Sequence, residues 1–297
     1  MTYFAVITDR KDYYLDIADL GQKVRIFIPI RIFNNTNLDL YFKLRLYEVE
    51  VNGNLYNPSD QGYYDYEQEL GAISPGTSKI TAFEMVKDVS NISTFPYTEK
   101  LYLQVAAYAE DTYSTLVDQE TFIVNFTYVN HKASNAIIIE KWDFDDGTNP
   151  GFEVRDNNFN PTSGYCGLTD GWYYSAPYGL NIIGPDNAWS YLVSPEYPAF
   201  TPQPGEQYFL SFKLIWNYQG RGHFEKLEVS YDNGNTWTQV DTLEYNWQNF
   251  IELKRWYCLT FKIPMPEGQT VNLKWRIHHY LGTYDDYAID DVVLFKY

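Results

Sequence analysis

The sequence predicts an all-β protein made of two β-sandwich domains in tandem, on three observations. Aromatic residues (29 Tyr, 18 Phe and 8 Trp) make up 19% of the chain, and these are types that fit a pleated, half-buried surface. Apolar residues recur at alternate positions in segments divided by Asn, Gly, Pro and Asp clusters, while few stretches are rich in helix formers. Finally, 297 residues that are 45% hydrophobic suit two cores better than one.

In chain order, Val24–Phe33 is rich in β-branched and aromatic residues, with Pro29 pointing to an edge position or a bulge. Asn34–Asn37 is a turn cluster. Leu40–Val51 alternates through Leu40, Phe42, Leu44 and Leu46, and Asn52-Gly53 turns the chain. Lys79–Val86, Leu101–Tyr108 and Thr121–Tyr128 read as further strands, and strands separated by turn signals make a small sandwich. Tyr63-Tyr64-Asp65-Tyr66 falls in a presumed loop, as a contact patch or as ordinary loop packing. Asn34, Asn91 and Asn125 each open an Asn-x-Ser/Thr triplet, a weak glycosylation signal in an Asn-rich chain. This order of strands and turns resembles the bacterial and archaeal Ig-like domains of cell surfaces, so residues 1–130 are expected to form an Ig-like sandwich.

Residues 129–136 are polar and small, as in a linker, and from Ile137 the character changes. A strand, Ile137–Trp142, runs into the acidic turn Asp143-Phe144-Asp145-Asp146-Gly147. Tyr191–Val193, Tyr208–Trp216, Lys226–Tyr231 and Val271–Ile277 read as strands, with a hairpin turn at Asp232-Asn233-Gly234-Asn235 before Thr236-Trp237. The chain closes on Tyr287–Phe295, an apolar run interrupted by Asp290-Asp291. Burying an unpaired carboxylate is expensive, so this pair calls for a cation or a dense set of donors.

The opening Trp-Asp-Phe-Asp-Asp-Gly, the Val-Ser-Tyr-Asp-Asn-Gly-Asn-Thr-Trp hairpin and the closing Ala-Ile-Asp-Asp-Val resemble MAM-type jelly rolls. That group includes modules appended to secreted bacterial peptidases of the immune inhibitor A type. The likeness covers 137–297, and it implies a jelly roll there and an Ig-like sandwich followed by a jelly roll overall. It also implies a structural calcium ion joining the first and last strands, held by Asp143, Asp145 and Asp290 or Asp291. Hard oxygen donors suit calcium. Asp143 and Asp145 share one side of an alternating strand, and Asp290 is favoured over Asp291 because both face inward only across a bulge. The cysteine framework of eukaryotic MAM domains is missing, which leaves receptor-type homophilic adhesion without support.

A net charge of −17 excludes a nucleic-acid partner and an anionic membrane surface, which need basic patches. No run approaches the length of a membrane span, so no membrane insertion is expected. No signal peptide is visible at the N-terminus. The two cysteines, Cys166 and Cys258, are read as a disulfide in an oxidising compartment or as two free buried thiols. Localisation is expected to be extracellular or surface-exposed, as a secreted fragment, at a cell surface or on a virion.

The four histidines (His131, His223, His278 and His279) lie in no nucleophile elbow or zinc-helix motif. His278 and His279 are strand neighbours facing opposite sides, unsuited to a shared metal. A non-enzymatic protein is therefore expected, with protein partners or self-assembly as a structural or adhesive surface component. The alternative is a glycan-binding module presenting aromatic platforms. Its pool is Trp172, Tyr173, Tyr174, Trp189, Trp216, Tyr218, Trp247 and Trp256. Trp172-Tyr173-Tyr174 and Trp247 are its best loop candidates.

Overall fold

A computed structural model describes residues 3–8, 10–47, 50–51, 54–55, 67–162, 164–171, 173–184, 187–216, 223–242, 256–282 and 286–297. Every described element is a strand, and the chain divides into two compact units, Met1–Val129 and Asn130–Tyr297. The fold is all-β, with two sandwiches in tandem. Among the described residues no helix is long and apolar enough to cross a membrane.

The first unit holds β1 (Phe4–Ile7), β2 (Asp12–Asp16), β3 (Lys23–Asn34), β4 (Leu40–Tyr47), β5 (Glu50–Val51), β6 (Asn54–Leu55), β7 (Glu67–Ile73), β8 (Ser78–Asp88), β9 (Tyr97–Tyr108) and β10 (Leu116–Val129). One sheet has the order β1-β3-β8 and the facing one β2-β10-β9-β4-β7; β5 and β6 pair separately. The chain thus starts in one sheet and crosses to the other, where β2 runs parallel to β10. Alternation decides the faces: Val24, Ile26, Ile28, Ile30 and Ile32 of β3 are buried against Leu40, Phe42, Leu44 and Leu46 of β4 across the core. Pro29 is tolerated because β1 reaches only from Asn34 to Arg31, leaving β3 a single neighbour at Pro29.

Asn34 ends β3 with a buried side chain whose Nδ2 donates to Leu38 and Ile73 carbonyls at 2.8 and 2.7 Å. Asn125 Nδ2 donates to Asp12 at 2.7 Å. Of the three glycosylation triplets, only Asn91 presents its asparagine at an exposed turn. The Tyr63–Tyr66 cluster and the Asn52-Gly53 turn lie outside the described residues.

The second unit holds β11 (Ile137–Trp142), β12 (Glu153–Asp156), β13 (Tyr165–Thr169), β14 (Gly179–Ile183), β15 (Ala188–Val193), β16 (Tyr208–Trp216), β17 (His223–Ser230), β18 (Thr238–Thr242), β19 (Trp256–Ile263), β20 (Lys274–Leu281) and β21 (Asp286–Lys296). A six-stranded sheet, β13-β14-β21-β16-β19 with β11 also on β21, faces a five-stranded sheet, β12-β15-β20-β17-β18. Between them Phe212 stacks on Trp275 at 5.7 Å, Trp216 stacks on Tyr287 at 5.4 Å, and Trp275 Nε1 donates to Tyr197 Oη at 3.0 Å. The indole and phenol each reach a partner, so these large rings enter the core without stranding a polar atom.

Cys166 and Cys258 stand on β13 and β19, the two edges of the six-stranded sheet, with three strands between them. Four strand spacings are about 19 Å, far beyond disulfide reach, and neither cysteine is in a disulfide. Burial pushes Cys166 up to about 12, which makes it a poor nucleophile.

Candidate functional site

The closing strand β21 changes partner at Asp290-Asp291. Its first part pairs with β14 from Asp286 to Ile289, and its last part pairs with β11 from Val292 to Lys296. Along its other flank, β16 follows with a register shift between Ser211 and Lys213, and Asp291 takes φ 47°. The irregularity is a bulge, and it lets both aspartates be buried at once.

Their roles separate there. Asp290 accepts backbone N–H groups from Tyr174 (2.8 Å), Ser175 (2.9 Å) and Asp291 (2.7 Å). It docks the loop that leads into β14. Burial lifts its carboxyl to about 7, against the pull of those amides. Asp291 is the one that meets the opening motif. The Lys141 ammonium lies 3.4 Å from Asp291 Oδ1 and 3.3 Å from Asp143 Oδ2. Burial works against that charge, but the Asp291 and Asp143 carboxylates outweigh it and hold the ammonium above its ordinary range. Asp145, although exposed, is raised by partial desolvation and by Asp143 and Asp291.

Asp290 was the favoured inward ligand; in this arrangement Asp291 faces Asp143 and Asp145, while Asp290 serves the backbone. Among the described residues no three His, Cys, Asp or Glu side chains converge as a metal group. The corner already contains its cation in Lys141, so as arranged these residues do not fit a calcium ion.

Of the loop aromatics, Trp172, Tyr218 and Trp247 lie outside the described residues. Tyr173 is 42% exposed, and Tyr174 is turned onto Lys213 and the edge of Trp256. Trp216 belongs to the core. The structure brings together a different set.

That set lies on the outer face of the five-stranded sheet. On β20, Trp275, Ile277, His279 and Leu281 point inward, so Arg276, His278 and Tyr280 point out. On β15, Ser190 and Leu192 point inward, so Trp189 and Tyr191 point out. A register shift between Phe224 and Lys226 turns both Glu225 and Lys226 outward on β17, with Glu228 following.

These side chains form a continuous stack. His278 lies between Trp189 (4.6 Å) and Tyr191 (4.5 Å), and Arg276 lies between Tyr191 (4.2 Å) and Trp237 (4.3 Å). Glu228 accepts from Arg276 Nε at 2.7 Å, and Glu225 pairs with His278 Nδ1. Burial lowers the His278 pKa, against the Glu225 carboxylate. Trp237 is placed by the preceding hairpin turn, where Asn233 and Gly234 both take positive φ. In that turn Asp232 accepts Thr236 N–H at 2.8 Å and the Ser230 hydroxyl at 2.7 Å, contacts that draw its carboxyl down to about 2.

His279, on the inner side, hydrogen-bonds Ser190 Oγ at 2.8 Å and Tyr287 Oη at 3.2 Å. All three are fully buried. The serine–histidine pair is a cross-link inside the core rather than a reactive centre. Sequence alternation marks the outward set through Trp189/Tyr191 and Arg276/His278/Tyr280. The reading missed it by weighting loops over strand faces.

No family model matches the sequence, and no curated protein matches it. Solved structures similar to it include the CBM22-1 xylan-binding domain from Paenibacillus barcinonensis Xyn10C, at 17% identity and a TM-score of 0.39, covering 55% of this chain and 96% of that one. The K3 cleaved adhesin domain of Lys-gingipain from Porphyromonas gingivalis is 16% identical with a TM-score of 0.35, covering 54% and 99%. A carbohydrate-binding protein of the β-sandwich superfamily is 12% identical with a TM-score of 0.38, covering 99% and 98%. At these values the likenesses carry no argument about this chain's ligand or role.

Proposed function

We propose that this chain is a non-catalytic glycan-binding protein that works outside the cell or at a surface. The observation that supports it is the outer face of the five-stranded sheet, where aromatic rings alternate with hydrogen-bonding side chains on rigid strands. Sugars present both apolar C–H faces and hydroxyl edges. A site for them therefore needs ring surface beside fixed polar groups, and Trp189, Tyr280 and Glu225, the last held by His278, supply both within one corner. Set on strands, these groups are held in place before a ligand arrives.

The structural or adhesive reading takes second place, because no specific feature of the described residues favours an assembly contact. Kinship with MAM-type jelly rolls is likewise a proposal, resting on the three sequence motifs. A calcium ion at the Asp143–Asp291 corner is proposed only for a corner freed of Lys141, whose ammonium lies against both carboxylates.

The test is affinity electrophoresis on soluble polysaccharides, with Trp189→Ala beside the parent chain. Truncating an anchoring tryptophan costs about 2 kcal/mol or more of binding, so retardation is expected to disappear. Retardation that survives in Trp189→Ala removes this face from the reading. Sedimentation velocity separates the runner-up: defined oligomers without retention on any glycan favour the structural role.

A further inference from the structure

The outer face of the five-stranded sheet is not an open trough. The turn after β12 folds back over it as a tight hairpin, in which Arg155 bridges Pro161 and Phe159 N–H donates to the Asp156 carbonyl at 2.9 Å. One Asp156 carboxylate oxygen accepts the N–H groups of Asn158 and Asn160, each at 2.8 Å. Phe159 sits at φ 65°, a conformation uncommon for an aromatic residue and held here by those bonds. Its ring meets Tyr191 at 6.1 Å and Trp237 at 6.0 Å, with the Arg276 guanidinium 5.3 Å from it. Asn157 Oδ1 accepts from His278 Nε2 at 2.7 Å.

Phe159 and Trp237 thus approach from opposite edges of the sheet and touch above its centre. Beneath them Tyr191 is only 9% and His278 only 8% exposed, whereas Trp189 and Tyr280, farther along the same strands, stay half-exposed. A polymer laid across the sheet would have to run through the Phe159–Trp237 contact. Beside that contact lies a corner where the half-exposed Trp189 and Tyr280 rings meet edge to face at 5.6 Å. Charge narrows the ligand further. Arg155 faces Glu153 at 2.6 Å, and Lys226 and Arg276 both face Glu228, at 3.3 and 2.7 Å. These three cations are each matched by a carboxylate, which suits a neutral sugar and not an anionic one.

We infer that the face takes the terminal one or two units of a neutral sugar chain at Trp189 and Tyr280, and that the Asn157–Asn160 turn excludes internal segments. This rests on the glycan-binding reading. The hairpin is braced by its own backbone bonds, so it acts as a fixed wall. It is the feature that sets which part of a chain is recognised.

The experiment is calorimetric titration of the full chain with neutral oligosaccharides of xylose, glucose, mannose and galactose, from one to six units. For whichever sugar binds, affinity is expected to level off by the disaccharide and to stay within about two-fold through the hexasaccharide. In Phe159→Ala the wall is lowered, and affinity for the hexasaccharide is expected to rise at least five-fold over that for the disaccharide. Asn157→Ala, which releases the turn from His278 and keeps its ring, is expected to show a smaller rise of the same kind. Parent-chain affinity that climbs ten-fold or more from two to six units overturns the chain-end inference alone. Failure of every sugar to bind overturns the glycan reading beneath it. A Phe159→Ala protein that keeps its melting transition and shows no length dependence removes the wall from the argument.

Discussion

The two sandwiches each run a polar link across their cores, and they do it with opposite chemistry. In the first unit Lys87 of β8 pairs with Glu99 of β9 in the facing sheet, and Tyr128 Oη donates to the same carboxylate at 2.7 Å. In the second unit the link is uncharged: Ser190 and His279 of one sheet meet Tyr287 of the other. The single carboxylate buried deepest there, Asp290, accepts backbone N–H groups. A buried ion pair depends on both partners being present, because either one alone is a charge out of water. A neutral imidazole depends instead on staying neutral, so the first link is sensitive to mutation and the second to pH.

The largest expected effect follows from the ion pair. Lys87→Met leaves Glu99 buried without its cation and should cost about 3–5 kcal/mol in urea unfolding. Adding Glu99→Leu should return most of that loss. A single variant that loses less than about 1 kcal/mol would mean the pair behaves as a surface bridge, and the contrast between the units would fail.

Next is Asp290→Ala, which strips the acceptor from the Tyr174 and Ser175 amides. The expected loss is about 2–3 kcal/mol, with faster amide exchange at those two positions. Loss of stability without change in their exchange would detach Asp290 from the loop.

The pH response sharpens the comparison. Burial drives His279 down to about 3, so between that value and about 6.5 the unfolded chain binds a proton that the folded chain refuses. Its contribution is therefore present above pH 6.5 and lost on acidification. Asp290, lifted to about 7, does the reverse, since the folded state holds a proton that the unfolded carboxylate releases above about pH 4. Between pH 4 and 6.5 the two slopes, each about 1.4 kcal/mol per pH unit, oppose each other. His279→Gln should therefore make stability fall as pH rises across that window relative to the parent, and Asp290→Ala should make it rise. Below pH 4 Glu206 joins the acid loss, because its bonds to Lys296 and Tyr208 outweigh burial and hold it at about 2. Equal slopes in both variants and the parent would remove these two groups as the controlling pair.

The smallest effect belongs to the acidic corner. Lys141→Met removes a cation that is one-third exposed and should cost about 1 kcal/mol or less. It leaves Asp143, Asp145 and Asp291 facing one another. Calcium should then raise the melting temperature of this variant and leave the parent unchanged. A calcium response in the parent that EDTA abolishes would show that Lys141 is no barrier to the ion.

Much of this architecture was legible because strand alternation is a local property. The strands read at Val24–Phe33 and Tyr208–Trp216 stand where strands stand, and the alternating run read over Leu40–Val51 forms β4 as far as Tyr47. Their apolar positions on β3 and β4 face the core, and β16 is buried on both faces. Asp290-Asp291 was legible as a special place because two acids interrupt an apolar run. Which aspartate faces the opening motif was not. That depends on a bulge created where β21 passes from β14 to β11, two strands far apart in sequence.

The sequence alone thus determined the all-β composition, the change of character near residue 137 and the strained position of the closing acids. It did so because side-chain period, turn chemistry and the cost of burying charge are all set by near neighbours. Only the tertiary structure decided that Lys141 answers Asp143 and Asp291, that Cys166 and Cys258 stand on opposite edges, and that Phe159 meets Trp237 above the sheet. Each is a meeting of residues from separate strands or turns. Strand order fixes such meetings, and no local pattern encodes them.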